Sequence, residues 1–468
     1  MNQYEMYRKE YEVFEYTGFD LYEENIDEYG NHLGLKVEYH FNIPGLVDFN
    51  PTWRFPIGSH SVEELKKNGT FMKLIFSLGM VELISYWKTC CPPEVHIYGY
   101  SLDEKQIEWW KDLYFLGLGE FFYTNKIDVD KNDFMTIVSK GEKCNLMDYP
   151  VQEPSGCLVP VGGGKDSVVS IELLKKSNQN LKAYIINPRG ATLNTVSVAG
   201  MSDDLLVTKR VLDKNMIELN KKGFLNGHTP YSAIVAFSST IVAYLHGLKY
   251  ITLSNEDSAN ESTVKGSYVN HQYSKSFKFE KDFNGYEAEY IGSNTMYFSL
   301  LRPLSEFQIA GYFAKQQPYH DIFRSCNVGS KEDIWCGHCA KCLFVYLILS
   351  PFLEEDRLVE IFGNDMVNDM TMKDVLDELI GMVEEKPFEC VGSRDEVNTA
   401  ICLTIARLQK DGKELPKLFE YYMTTPMYME YAHKECEYFD NFNQENLLPE
   451  EFKKLIYDEV IEGLKERR

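Results

Sequence analysis

The 468-residue sequence has little positive charge. It contains 48 lysine and arginine residues against 71 aspartate and glutamate residues, which gives a formal net charge of −23 at pH 7. A surface of this sign repels the phosphate backbone of DNA or RNA unless a strong local basic patch outweighs it. The sequence therefore disfavours a nucleic-acid partner and favours a small-molecule substrate.

Long hydrophobic runs are also missing. The longest uninterrupted apolar run, residues 343–349, is far shorter than the roughly 20 residues that a membrane-spanning helix needs. The opening stretch MNQYEMYRKEYEV is charged throughout and does not resemble a signal peptide. We therefore expect a cytoplasmic protein without a membrane segment. In that reducing compartment, the eleven cysteines are expected to be free or bound to metal and not paired in disulfides.

The order of the predicted elements divides the chain into three regions. Residues 1–150 combine a strand pattern, KVEYHFNI, with helical patterns such as TFMKLIFSLGMVELISYW, which predicts an α+β domain. Over residues 155–353 strands and helices alternate, which is typical of an α/β domain with a parallel sheet covered by helices. Within it, the stretch DDLLVTKRVLDKN is predicted to be a helix. Residues 354–468 are predicted to be helical.

A glycine-rich hexapeptide lies between a predicted strand and a predicted helix, in LVPVGGGKDSVVSIELLKK. It consists of Gly162, Gly163, Gly164, Lys165, Asp166 and Ser167. At such a turn, unpaired backbone N–H groups and the positive end of the helix dipole attract an anion, and glycines let the backbone approach a phosphate. The hexapeptide fits neither the Walker pattern nor the dinucleotide pattern G-x-G-x-x-G. The alternative is a tight structural turn without a ligand.

Four cysteines have the spacing of metal ligands, in the segment RSCNVGSKEDIWCGHCAKC. They are Cys326, Cys336, Cys339 and Cys342. The two-residue gaps let neighbouring thiolates converge on one ion, and the upstream cysteine completes a tetrahedral zinc site of four thiolates. An iron–sulfur cluster also accepts the spacing C-x2-C-x2-C, so the metal stays open, and incidental buried thiols are a further alternative. A zinc ion held by four thiolates is structural, because no coordination position is left for water.

The hexapeptide GGGKDS resembles the S-G-G-x-D-S loop of the PP-loop ATP pyrophosphatases. Members of that superfamily cleave ATP between the α- and β-phosphates, usually to adenylate a substrate oxygen. The resemblance implies a central parallel-sheet domain of the adenine nucleotide alpha hydrolase-like type. It also implies that Gly163 and Gly164 let the backbone reach the pyrophosphate, that Asp166 orients the loop or a magnesium ion, and that Ser167 donates to phosphate. Gly162 departs from the pattern, because it replaces a serine and removes one hydroxyl donor.

A glycine loop followed by a cysteine knuckle resembles the zinc-bearing branch of that superfamily, typified by 7-cyano-7-deazaguanine synthase. The phrases VPVGGGKDSVVS, LSNEDSAN, NHQYSKSFKFE, RSCN, WCGHCAKCLFVYLILSPF and KPFECVG resemble the MurL family much more closely, over most of residues 155–395. The members of this family act as UDP-N-acetyl-α-D-muramoyl-L-alanyl-L-glutamate epimerases. The resemblance implies dependence on ATP and Mg²⁺, a structural Zn²⁺, and adenylation of the glutamate carboxylate, which makes the α-proton removable by ordinary side chains.

Several side chains are candidates for proton transfer. His228 precedes a predicted helix, where it serves as an acid or base, contacts phosphate, or simply caps the helix. Glu256 and Asp257 follow a predicted strand, where open α/β sheets bind ligands, and either of them is a candidate for holding magnesium or removing the proton. A solvated polar loop is the alternative. His271 and Lys275, four residues apart, are the preferred pair for proton transfer and oxyanion stabilisation.

An acidic protein with an anionic substrate needs a local group of basic side chains. Arginines and lysines in motif-like stretches include Arg189, Lys275, Lys278, Arg302 and Arg324. Of these, Arg302 and Arg324 are predicted to bind substrate, and the aromatic N-terminal region is the candidate for recognising the uridine or sugar. Two other functions stay open. One is an adenylating enzyme that passes a carboxylate to an amine or ammonia, and the other is a binding module with a functionless glycine loop.

Overall fold

The computed structural model of the protein describes residues 2–26, 32–257, 273–387, 389 and 391–465. In this part of the chain one sheet of eleven strands runs through the molecule. The strands are β1 (Val13–Ile26), β2 (His32–Ile43), β3 (Val47–Phe49), β4 (Thr52–Pro56), β5 (Glu94–Ile97), β6 (Thr136–Ser139), β7 (Cys157–Pro160), β8 (Leu181–Ile186), β9 (Leu205–Val211), β10 (Tyr250–Leu253) and β11 (Met296–Ser299).

The helices cover both faces of this sheet. Those among the first strands are α1 (Gln3–Glu10), α2 (Val62–Leu65), α3 (Gly69–Trp87), α4 (Glu104–Gly117) and α5 (Gly119–Thr124). Those of the middle region are α6 (Lys165–Leu174), α7 (Gly190–Val198), α8 (Lys214–Lys221), α9 (Tyr231–Leu245), α10 (Phe277–Tyr286), α11 (Glu306–Phe313) and α12 (Ala340–Leu349). Those that follow are α13 (Glu355–Phe362), α14 (Lys373–Ile380), α15 (Arg394–Lys410), α16 (Lys417–Tyr422), α17 (Pro426–Tyr431), α18 (Glu450–Ile456) and α19 (Glu462–Lys465).

The middle of the sheet is parallel and doubly wound. Its strands lie in the order β11-β10-β7-β8-β9, and all four neighbouring pairs are parallel. The chain runs outward from β7 to β9 on one side, then crosses back to place β10 and β11 on the other. Open α/β sheets bind ligands beyond the carboxyl ends of the strands at such a reversal. The expected α/β fold with a mostly parallel central sheet is confirmed, and the glycine hexapeptide directly follows its central strand.

The stretch DDLLVTKRVLDKN was expected to be helical, and this prediction is wrong. Most of it forms β9, which pairs in parallel with β8 and antiparallel with β4. Its apolar residues suit a helical period nearly as well as an extended one. Pairing on both edges decided the outcome, because tertiary contacts outweigh a weak local preference.

That same strand joins two regions that the sequence suggested were separate. β4 pairs with β9 from Thr52↔Val211 to Arg54↔Lys209, so residues 1–150 continue the sheet of the middle region. One hydrophobic core extends from Tyr4 to Tyr297. The expected domain boundary near residue 150 therefore does not separate two cores. The physical reason is that an exposed edge of β9 would leave backbone groups unpaired, and β4 covers it.

The strand and helix patterns of the N-terminal region are confirmed. In β2 the side chains of Val37, Tyr39, Phe41 and Ile43 are buried and alternate with partly exposed ones, as KVEYHFNI predicts. α3 is apolar on all sides, and Asn68 caps its start by accepting from the Phe71 N–H at 3.0 Å. Among the described residues it alone has the length and hydropathy of a membrane span, but 89% of it is buried inside the protein, as in a core helix.

The region from residue 354 onward is helical, as expected, and forms a second core with the opposite face of the sheet. Side chains of β7 alternate between the two cores: Cys157 and Val159 pack towards the C-terminal helices, and Leu158 packs towards residues of the N-terminal region. The central strand is therefore covered on both faces, which accounts for its continuously apolar sequence.

Candidate active site

The glycine hexapeptide forms a close-packed turn between β7 and α6. Gly163 has a φ of +82°, and a Cβ added there would lie 2.9 Å from the Ala191 Cβ. Its carbonyl accepts a hydrogen bond of 2.8 Å from the backbone N–H of Arg324. Gly164 is the N-cap of α6 and brings no side chain to the helix N-terminus. Backbone N–H groups at this end of α6 therefore face the turn, as an anion site requires.

Replacing Gly163 with alanine is expected to lower the free energy of unfolding by about 2–5 kcal/mol, because left-handed backbone strain and overpacking against Ala191 act together. Denaturant unfolding measures this loss. Gly200→Ala is the matched control, since Gly200 has a φ of +72° but nothing within 4 Å of an added Cβ. The control should lose only the backbone contribution of about 1–2 kcal/mol. Equal losses in the two variants would show that Ala191 does not constrain the turn.

A cavity of 520 Å³ opens beside the turn, at the carboxyl ends of the parallel strands. Its lining residues come from the ends of β7, β8 and β10 and from the first turns of α7 and α9; they include Gly162, Tyr184, Arg189, Tyr231 and Leu253. A Cβ added to Gly162 would have nothing within 4 Å, so this glycine borders open space and not packed protein. The volume lies within the range of small-molecule sites, and the walls combine two tyrosines with one arginine.

Lys165 turns away from this cavity into the protein. Its ammonium group contacts the carboxylates of Asp166 and Glu306 and is only 2% exposed. Burial lowers the pKa of Lys165, but the two carboxylates outweigh burial, and the net shift is upward. Burial raises the pKa of Asp166, but the charges of Lys165, Lys341 and Lys275 outweigh it, and the net shift is downward. Lys165 therefore holds the start of α6 against the start of α11.

Buried carboxylates continue from Glu306 into the protein. Burial, reinforced by Asp166 and Glu256, raises the pKa of Glu306 to about 8. Its backbone N–H donates to Glu396 at 2.6 Å, and burial also raises the pKa of that carboxyl. We call Asp166, Glu256, Glu306 and Glu396 the acidic cluster. It draws together the glycine loop, the loop after β10, and the N-termini of α11 and α15.

The four predicted cysteines come together at one point. The Sγ–Sγ distances are 3.5 Å for Cys339–Cys342, 3.7 Å for Cys336–Cys342 and 3.9 Å for Cys326–Cys339. Among the described residues, they form the one group of three or more histidine, cysteine or acidic residues with a geometry that could hold a metal ion. Tetrahedral zinc with Zn–S bonds of about 2.3 Å separates its sulfurs by about 3.8 Å, so the cluster fits zinc. Backbone N–H groups of Gly329 and Cys336 donate to the Cys326 sulfur.

The cysteine segment also packs against the glycine loop. A Cβ on Gly164 would meet the Ser325 Cβ at 3.3 Å, and the Arg324 N–H bonds to the preceding residue of the loop, Gly163. Lys341, between two of the cysteines, is buried, and its charge lowers the pKa values of Asp166 and Glu306 relative to what burial alone would give. The cysteine segment therefore lies next to both the turn and the acidic cluster.

Arg302, which the sequence predicted to bind substrate, is buried inside the protein. Its side chain is 0% exposed, and its guanidinium group contacts the backbone carbonyls of Glu256 and Lys275 and the carboxylate of Glu280. With these contacts the guanidinium group of Arg302 is bound to protein groups among the described residues. The sequence favoured substrate binding because arginines are rarely buried, but this one is paired with a buried acid.

The other predicted site residues have different surroundings. Arg324 is half-buried beside the glycine loop, and its buried Nε has no hydrogen-bond partner in the described part of the chain. Glu256 belongs to the acidic cluster and raises the pKa of Glu306, and Lys275 lies close to the cluster because its charge lowers the pKa of Asp166. His228 instead pairs with Glu120 of α5, with Nδ1 and Oε2 at 3.3 Å. His271 lies outside the described residues.

Sequence reasoning missed three residues of this site: Glu306, Glu396 and Lys341. Glu306 was visible in LLRPLSEF, four residues after the arginine that drew attention, and Lys341 stands between cysteines of the knuckle. A glutamate or a lysine at the start of a helix does not by itself indicate a functional site, because charged side chains are common there. Only their burial next to one another distinguishes them.

The fold and the site define an α/β protein with a cavity and a glycine turn at the reversal of its sheet, and with a cysteine cluster against that turn. The chain matches the family models of the MurL N-terminal domain over residues 6–300 and of the MurL C-terminal domain over residues 322–429. The protein belongs to the MurL family and is an amino-acid epimerase.

Relatives named UDP-N-acetyl-alpha-D-muramoyl-L-alanyl-L-glutamate epimerase come from three organisms. The Xanthomonas oryzae pv. oryzae protein is 36% identical over 351 residues, which cover 73% of this chain and 76% of the relative. The Salinispora tropica protein is 34% identical over 371 residues, 78% of this chain and 79% of the relative. The protein of Micromonospora sp. is 31% identical over 367 residues, with 74% and 77% coverage.

Proposed function

We propose that this protein inverts the terminal L-glutamate of UDP-N-acetyl-α-D-muramoyl-L-alanyl-L-glutamate to D-glutamate in an ATP-dependent reaction that serves peptidoglycan synthesis. Relatives of this name match about three quarters of the chain, which supports the substrate class and disfavours an amide-forming enzyme. The observation that carries the ATP dependence is the glycine turn: its close-packed backbone lies at the mouth of the 520 Å³ cavity. Because ATP and nucleotide-linked precursors are cytoplasmic molecules, the proposed location is the cytoplasm.

In this proposal, the phosphates of ATP lie on the turn and the nucleoside occupies the cavity. N–H groups at the start of α6 bind the departing pyrophosphate, for which the glycines leave room. Arg324, half-buried beside the loop, supplies positive charge to phosphate or to a substrate carboxylate. Asp166 is the candidate for holding Mg²⁺, which prefers carboxylate oxygens and water. This arrangement places the leaving group of ATP and the reacting carboxylate together.

The reaction then has three steps. A glutamate carboxylate oxygen attacks the α-phosphorus of ATP, the bond to the β-phosphate oxygen breaks, and pyrophosphate leaves. The resulting acyl adenylate stabilises negative charge next to the α-carbon, so a side chain removes the α-proton, and a proton returns from the other face. Water cleaves the anhydride to release the D-glutamyl product and AMP. Lys275 and Glu256 are the candidates for the two proton transfers.

Zinc has a separate role in the proposal. The cysteine cluster would hold Zn²⁺ with four thiolates, a closed coordination sphere that stabilises the fold and leaves no position for substrate. Because the cysteine segment contacts the glycine loop through Arg324 and Ser325, the bound ion would also fix that side of the nucleotide site.

The direct test incubates the purified protein with ATP, Mg²⁺ and the L-glutamyl nucleotide. We expect AMP and pyrophosphate in equal amounts, and D-glutamate after acid hydrolysis of the product. The D-alanyl stereoisomer of the same nucleotide serves as a control for non-specific ATP cleavage. Unchanged stereochemistry of glutamate, or inversion that proceeds equally without ATP, would refute the proposal. An amide product formed in the presence of ammonia would identify the ligase alternative.

A further inference from the structure

We infer that Arg302 is a positioning residue that holds Glu256 and Lys275 in register for the proton transfers. The inference rests on the proposed function, in which these two side chains act on the α-carbon. It assigns to Arg302 a role in the epimerisation half of the reaction and none in the adenylation half.

The contacts of Arg302 reach both residues through their backbone. Its Nη1 donates to the carbonyl of Glu256 at 2.7 Å, and its Nη2 donates to the carbonyl of Lys275. Nη2 also contacts the carboxylate of Glu280 at 3.2 Å. Because these bonds go to backbone carbonyls, the guanidinium group fixes the point from which each of the two side chains starts.

Burial makes this bridge strong. Arg302 is 0% exposed and Glu280 is 1% exposed, so no water competes for these bonds. Charge-assisted bonds from a planar guanidinium to several acceptors also impose orientation, which an ammonium group does not. Glu256 lies three residues after β10, and Lys275 lies two residues before α10. The two residues come from separate parts of the chain, and Arg302 connects them because it bonds to both.

Other contacts hold the nucleotide end of the site. The glycine loop is tied by Lys165 to Glu306 and by its Gly163 carbonyl to the Arg324 N–H, and Arg302 takes part in neither contact. Loss of Arg302 should therefore spare the turn that binds phosphate. An arginine that only stabilised the fold would weaken both halves of the reaction when lost, whereas loss of a positioning Arg302 should weaken the proton transfers alone.

The test compares two partial reactions in Arg302→Gln. Adenylation is measured by exchange of labelled pyrophosphate into ATP, and proton transfer is measured by incorporation of solvent deuterium at the glutamate α-carbon. We expect deuterium incorporation to fall roughly 100-fold, since a misplacement of about 1 Å costs that much, while exchange changes less than about threefold. The KM for ATP should stay the same, and kcat for epimerisation should carry the loss.

Arg407→Gln is the matched control. Arg407 likewise donates to two carbonyls, those of Ser350 and Leu353, and to the carboxylate of Glu355, but it lies among the C-terminal helices. This variant should be less stable without changing the ratio of the two partial reactions. If Arg302→Gln does not fold, Arg302→Lys and Glu280→Gln remain: both weaken the bridge, and both should lower deuterium incorporation more than exchange.

The outcomes separate the inference from the proposed function. Equal loss of both partial reactions in Arg302→Gln, in proportion to its loss of stability, would overturn the inference and leave the proposed function intact. A changed ratio of the two partial reactions in Arg407→Gln would also overturn the inference. A wild-type protein that performs neither partial reaction would instead refute the proposed function, and the inference with it.

Discussion

Asp166→Ala is expected to abolish pyrophosphate release in a protein that remains folded. Asp166 lies at the second position of α6, inside the glycine loop, and its carboxylate contacts the ammonium group of Lys165. Without it, the loop loses the acidic group proposed to orient it or to hold Mg²⁺. Removing a preorganised electrostatic contact at a reacting phosphate costs about 10²–10³-fold in rate. Steady-state pyrophosphate release measures this loss.

The fold should tolerate this change. Asp166 is 34% exposed, and Lys165 keeps its buried contact with Glu306, so no charge is left buried and alone. Asp374→Ala is the matched control: Asp374 also follows a lysine at the second position of a helix, α14, but lies outside the site. The control should release pyrophosphate at the wild-type rate. An Asp166→Ala variant with normal release, or one that unfolds, would contradict the assigned role.

Cys339→Ser is expected to have the opposite effect, a loss of metal and of folding. Cys339 lies at the centre of the cysteine cluster, with its Sγ 3.5 Å from that of Cys342 and 3.9 Å from that of Cys326, and it is the N-cap of α12. Binding of structural zinc is coupled to folding, so loss of one thiolate should lower the free energy of unfolding by roughly 4–5 kcal/mol. Metal analysis and denaturant unfolding measure the two effects.

The control for this variant is Cys402→Ser. Cys402 is half-buried in α15, and its sulfur lies 3.6 Å from the Tyr422 hydroxyl, away from the cluster. It should keep one zinc per chain and near-wild-type stability. A Cys339→Ser variant that retains zinc would show that this thiolate is not a ligand. Iron and acid-labile sulfide in the wild-type protein would identify an iron–sulfur cluster in place of zinc.

Local sequence patterns predicted most individual elements. β2 alternates as KVEYHFNI indicates, and α3, α6 and α9 form where apolar residues recur at helical spacing. β9 was mistaken for a helix, because a short amphipathic stretch satisfies both periods and its partners on either edge are distant in sequence. The same pairing joined residues 1–150 to the central sheet, which no pattern within either region reveals.

The sequence by itself determined the features that depend on spacing within a short segment: a glycine turn between strand and helix, four cysteines that converge on one point, and a family assignment that the comparisons confirm. Only the tertiary structure decided which charged residues meet. Lys165, Glu306 and Glu396 are up to 231 positions apart, and nothing in the sequence distinguishes Arg302 from a surface cation. The physical reason is that burial of a charge depends on partners brought by other elements, and short-range patterns carry no information about those partners.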